Sequence, residues 1–86
     1  NPIGLRGAEA IASSENFRNL TLIDLYEAEL GSMGARILSE STNLPNLETL
    51  VLIHNDVSEG VQALYKDNKN FPKLKDVYFY KAKAEA

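Results

Sequence analysis

Apolar positions along this chain alternate between two rhythms. In Leu20-x-x-Ile23-x-Leu25 the last two apolar residues recur at period two, as in a strand buried on one face. Leu47-x-x-Leu50-x-Leu52 and Leu74-x-x-Val77-x-Phe79 repeat that spacing. Between these runs the rhythm becomes helical. Ala8, Ile11 and Ala12 fall on one helical face, as do Ala35 and Leu38, and then Val61, Leu64 and Tyr65. The pattern predicts strands alternating with helices, the first helix around residues 5–13, with Glu9, Arg36 and Gln62 facing water.

The alternation is itself periodic. Written in rows of 27 residues, the chain divides into 1–27, 28–54 and 55–81, with 82–86 beginning a fourth row. Ile3, Leu30 and Val57 share a column, as do Asn16, Asn43 and Asn70, and Phe17, Leu44 and Phe71. So do Leu20, Leu47 and Leu74, then Ile23, Leu50 and Val77, then Leu25, Leu52 and Phe79. Row three is displaced by one residue in its helix: Gly34-Ala35-x-x-Leu38 matches Gly60-Val61-x-x-Leu64 only if the turn after Asn55 is one residue shorter. No row can bury its apolar face alone. Stacked rows would set the strands side by side, all parallel, with the helices opposite.

These residues resemble the leucine-rich repeat family, in its ribonuclease-inhibitor and Ran-GTPase-activating-protein type. The run Leu47-Glu-Thr-Leu50-Val-Leu52-Ile-His-Asn55-Asp-Val57 carries a complete L-x-x-L-x-L-x-x-N-x-L pattern. Gly4-Leu-Arg-Gly7-Ala8 and Gly31-Ser-Met-Gly34-Ala35 match that type's G-x-x-G-A segment. The resemblance implies an α/β solenoid of about three strand-turn-helix repeats, its parallel sheet concave and its helices convex. It also implies that Asn1 and Asn55 point inward to hold turn backbone. Gly4, Gly7, Gly31 and Gly34 recur at the repeat period in the same turn, so they read as turn geometry, not phosphate loops. Alternate rows depart from it, because the asparagine column reads Asn1, Ala28, Asn55, Ala82. The turn amides at Ala28 must then find other partners. No capping segment is read at either end. The expectation is a single repeat unit over 1–86, a stretch of a longer array or else a chain that covers its ends by end-to-end self-association.

In a strand of this kind the residues between the core leucines face the concave side. Those sets are Leu22, Thr49 and Asp76; Asp24, Val51 and Tyr78; Tyr26, Ile53 and Tyr80; and Glu27, His54 and Lys81 at the strand ends. The Tyr26–Ile53–Tyr80 ladder beside Val51 and Tyr78 makes an aromatic stripe, and tyrosine is enriched where interfaces concentrate their binding energy. Asp24 stands among apolar neighbours as a solvated carboxylate or a receiver for a partner's cation. His54 reads as a surface residue paired with Glu27.

Composition narrows the chemistry. The 86 residues include no cysteine and one histidine, which excludes disulfides, thiolate metal sites, cysteine nucleophiles and a multi-histidine metal site. No cofactor is implied. The net charge of −3 gives no reason to expect nucleic acid, and no apolar run is long enough for a membrane helix. Charge is uneven: residues 1–65 hold three arginines against nine acids, a balance of −6, and residues 66–86 hold six lysines against three acids, a balance of +3. The lysines read as a solvated face or edge protection, with attraction of an acidic partner as the alternative. His54, Asp56 and Ser58 lie close in sequence, yet Ser58 is well placed as a helix cap, so no triad is read. The Asn19-Leu20-Thr21 sequon is discounted, since Leu20 should be buried. The expected function is a protein-interaction scaffold with no catalysis, in the cytoplasm, binding a protein partner through the concave sheet. The alternatives, implied by the resemblance, are part of a GTPase-activating protein or of an innate-immunity sensor. For the former, Arg6, placed in the turn after Asn1, and Asn55 are the residues to consider.

Overall fold

The computed structural model describes residues 2–80. It is an α/β fold in which helices α1 (Gly4–Ser13), α2 (Gly31–Ser39) and α3 (Glu59–Gln62) alternate with strands β1 (Leu22–Asp24), β2 (Thr49–Val51) and β3 (Asp76–Tyr78). The strands form one sheet in the order β1-β2-β3, both pairs parallel. Register follows the 27-residue spacing: Leu22 lies beside Thr49 and Thr49 beside Asp76, and Asp24 beside Val51 and Val51 beside Tyr78. The period-two residues Ile23, Leu50 and Val77 turn to the helices, while Leu22 and Asp24 turn to solvent.

The core fills the space between sheet and helices. Leu38, Leu44, Leu47, Leu50 and Leu52 are its most completely enclosed large side chains. Burying each is worth about 1.5–3 kcal/mol relative to exposure. α1 and α2 approach closely because their facing residues are small. Ala8 and Ala35 are fully buried, and a Cβ on Gly34 would lie 3.5 Å from that of Ala8 and 3.0 Å from that of Leu30.

The turns before α1 and α2 place Gly4 and Gly31 at φ of 61° and 65°, in the left-handed region that disfavours a Cβ. Gly60 sits inside α3 with no such backbone demand and open space around it. Gly31→Ala should therefore cost about 1 kcal/mol, whereas Gly60→Ala should stabilise by about 0.5–1 kcal/mol. Urea unfolding of both variants checks the opposite signs.

Several expectations need correction. Gly7 and Gly34 are not turn residues: they lie inside α1 and α2 without positive φ, where a Cβ would crowd Ile3 and Leu30. Leu20 is 39% exposed, not buried, because β1 is an edge strand, whereas Leu47 in the same column of the central repeat is 0% exposed. Val61, Leu64 and Tyr65 do not share a helical face. α3 is one turn long and passes into a 3-10 turn over Ala63–Tyr65. The tighter winding sends Leu64 outward and brings Tyr65 into the buried place that Leu38 holds one repeat earlier. Gln62 is half-buried, its amide donating to the Val57 carbonyl and the Tyr80 hydroxyl. Arg6 lies in the first turn of α1, exposed, since the helix begins at Gly4.

Candidate functional site

The sheet face turned away from the helices gathers most of the residues singled out from the sequence. On β1, Leu22 is 55% exposed, and Tyr26 beyond the strand is 49% exposed. Val51, Ile53 and Tyr78 are half-buried across the middle, and Tyr80 is 59% exposed at the far edge. Backbone pairing persists past the short strands. The Leu25 amide donates to Val51 and the Glu27 amide to Ile53, at 2.9 and 3.0 Å, so Tyr26 and Ile53 stay in register. An apolar and aromatic surface thus runs from Tyr26 through Ile53, Val51 and Tyr78 to Tyr80, while Thr49, Asp76 and Asp24 set Leu22 apart from it.

Of the two acids on this face, Asp24 and Asp76, Asp24 is the more exposed. Its Oδ1 accepts the Tyr26 amide at 3.1 Å, which fixes the carboxylate over the turn without removing it from solvent. His54 does not pair with Glu27: among the described residues no ion pair joins them. Its ring instead meets Tyr26 edge-on, with centroids 5.3 Å apart and planes at 88°. Both Glu27 and His54 have positive φ, 50° and 60°. The backbone therefore swings each side chain off the strand direction, and His54 lands on the neighbouring tyrosine. Partial desolvation first, then the adjacent Glu27 carboxylate, raises the Tyr26 hydroxyl above its ordinary pKa. At the far edge a hollow of about 260 Å³ is bordered by His54, Asp56, Gln62 and Tyr80. Lys81 and Asn1 lie outside the described residues.

Asn55 belongs to the scaffold beneath this face. Its side chain is buried, and its Oδ1 accepts the amides of Ala28 and Leu30 at 3.0 and 3.1 Å. Its Nδ2 donates to the carbonyls of Leu25 and Ile53 at 2.7 and 3.3 Å. The turn amides at Ala28 are thereby satisfied from the following repeat. These are the other partners that alanine in this column obliges the turn to find. The Ala28 carbonyl in turn accepts the amides of Ile3 and Gly4.

A second set of periodic polar contacts escaped the hydrophobic pattern. Asn43 Nδ2 and Ser41 Oγ both donate to the Ala12 carbonyl at the end of α1. One repeat on, Asn70 and Asn68 donate to the Ser39 carbonyl at the end of α2. Asn46 donates to the Arg18 carbonyl, and Lys73 to Asn46. The signal was the polar columns Ser14/Ser41/Asn68 and Asn19/Asn46/Lys73, which align as well as the leucines do.

The residues considered for chemistry are occupied by structure. Ser58 Oγ accepts the Val61 amide as the cap of α3, and the Asp56 backbone is held by Ser32. Among the described residues no cluster of three or more acidic or histidine side chains is placed to hold a metal ion, and no helix is long and apolar enough to cross a membrane. Comparison of the chain with protein-family models, with curated proteins and with solved structures finds no match in any of the three.

Proposed function

We propose that the chain is an arc of leucine-rich-repeat units whose outer sheet face binds a protein partner by recognition alone, in a cytoplasmic setting. The observation that carries this reading is the run of exposed apolar and aromatic side chains on the sheet. Tyr26 and Tyr80 each show about half or more of their surface to water on a face with no described element over it. Contiguous apolar surface of this kind on a small protein marks binding surfaces. The backbone under it is fixed by parallel pairing and by Asn55, so a partner meets a preformed face and little ordering entropy is lost on binding. Asp24 supplies the polar contact that orients a cationic group of the partner.

The test is the triple variant Tyr26→Ala, Ile53→Ser, Tyr80→Ala. All three side chains are exposed or half-buried, so the melting temperature should change by only a few degrees. Retention of a partner captured from lysate by the unmodified chain should be lost. Loss of folding in the variant, or undiminished capture, refutes the reading.

A further inference from the structure

The spacing of the side chains on the sheet face restricts what can lie on it. Tyr26, Ile53 and Tyr80 form a row across the three strands, one side chain per strand. The Glu27 amide on the Ile53 carbonyl, at 3.0 Å, and the Leu52 amide on the Tyr78 carbonyl, at 2.7 Å, keep the row in line. Neighbouring strands lie about 4.8 Å apart, so the row repeats at that interval. An extended segment laid along it offers side chains to one face only about every 6.6 Å and is out of step by the third strand. A helix offers one per turn, about every 5.4 Å, and a slant of roughly 25–30° across the strands brings the two intervals together. Hydrogen bonding points the same way. The backbone groups of a sheet lie in its plane, so an extended segment finds backbone partners at an edge and none on a face. Laid on an apolar face, its own amides and carbonyls would be buried unpaired, whereas a helix satisfies its own.

Charge defines the flanks of the row. Asp24 stands exposed on one side of it, and its Oδ1 accepts the Tyr26 amide at 3.1 Å, which holds the carboxylate beside the row. Glu27, Glu29 and Asp56 stand exposed in the turns on the other side. Residues 22–29, 49–56 and 76–80 include no lysine or arginine, and His54 is their one basic side chain. A repeat stacked on either edge of the sheet would extend this face and not cover it. From spacing, hydrogen bonding and charge together we infer that the partner presents an amphipathic helix laid across the three strands. Its apolar residues at i, i+3 or i+4, and i+7 meet the row, and lysine or arginine stands on its flanks. The inference rests on the reading of this face as a binding surface and adds the chemistry of the occupant. A flanking arginine can bond Asp24 and pack on a tyrosine ring of the row at once, as its planar cation allows.

The experiment is selection of random peptides displayed on phage against the immobilised chain, followed by affinity measurement on synthetic copies. The recovered sequences should repeat apolar residues at helical spacing, carry net positive charge and gain helical circular dichroism on binding. They should lose about tenfold or more in affinity on the variant Tyr26→Ala, Ile53→Ser, Tyr80→Ala. Asp24→Asn, which keeps an oxygen for the Tyr26 amide, should weaken them several-fold at low salt and less at high salt. Circular dichroism melts establish that the variants are folded. If the triple variant is not, Tyr80→Ala takes its place, since that side chain is 59% exposed. Peptides that need the row but carry apolar residues at every second position overturn the helix and leave the face a binding surface. Acidic peptides, or binding indifferent to Asp24→Asn, overturn the basic flanks in the same way. Peptides that bind the triple variant undiminished, or a selection that recovers none, remove the binding face and the helix with it.

Discussion

Replacing Asn55 with alanine should remove a large share of the stability of the fold. The reason is the asymmetry of buried hydrogen bonds: forming one gains little net, but stranding a buried donor costs about 1–3 kcal/mol. Asn55→Ala strands two buried donors at once, the amides of Ala28 and Leu30, and removes the donor that serves the Leu25 and Ile53 carbonyls. No other side chain is placed to replace it, because the corresponding residue of the preceding repeat is Ala28 itself. The loss should be roughly 2–5 kcal/mol. Marginal stability for a chain of this size is about 4–13 kcal/mol, so the loss is a large share of the whole. Asn55→Asp is the informative partner variant. It keeps the acceptor for the two amides but loses the donor and buries a charge, and it should recover part of the loss at low pH, where the carboxyl is neutral. Urea unfolding of both variants at neutral and acid pH measures this. A loss of less than about 1 kcal/mol for Asn55→Ala would show that water replaces the amide and that the turn is not held by this residue.

That one side chain shows how far the sequence can be read. The spacing of Leu20, Leu47 and Leu74 foretells strands that are parallel and in register, because an equal number of residues per row leaves each strand nowhere else to pair. The outer face follows by alternation alone, and Tyr26, Ile53 and Tyr80 lie where the alternation puts them. What spacing does not reveal is direction between rows. The column Asn1, Ala28, Asn55, Ala82 looks like a defect in every second turn, yet Asn55 reaches back and serves the turn that lacks its own asparagine. Edge effects are also silent in the pattern: Leu20 and Leu47 are the same letter in the same column, and only their neighbours make one exposed and the other enclosed. The one-residue deletion in the third row was visible in Gly34 and Gly60. Its consequence was not, because shortening α3 to one turn changes which residue faces inward, and that is decided by how an aromatic ring fits beneath the helix.

Tyr65 is that ring, and its substitution should bring the second large effect. It stacks on Phe71 with centroids 5.8 Å apart and meets Phe79 edge-on at 5.9 Å, closing the core under the short α3. Its hydroxyl donates to the Ala35 carbonyl of α2, tying the third repeat to the second. Tyr65→Ala should cost about 3–5 kcal/mol, the usual loss for truncating a buried aromatic. Tyr65→Phe keeps the packing and should cost only about 1 kcal/mol. The pH dependence separates the ring from its hydroxyl. Burial raises the Tyr65 pKa above the ordinary value of 10.0, so the folded state holds the proton more tightly than the unfolded chain does. A raised folded-state pKa means that the stabilisation is complete below about pH 10 and is lost as pH climbs above it, when the unfolded chain ionises first. The unmodified protein should therefore melt at a constant temperature to about pH 9 and then at falling temperature, from the tyrosine titration alone. Tyr65→Phe should start lower and decline less. If both proteins lose stability in parallel above pH 10, the alkaline transition belongs to other groups, such as the lysines around β3, and the buried hydroxyl does not link the repeats as described.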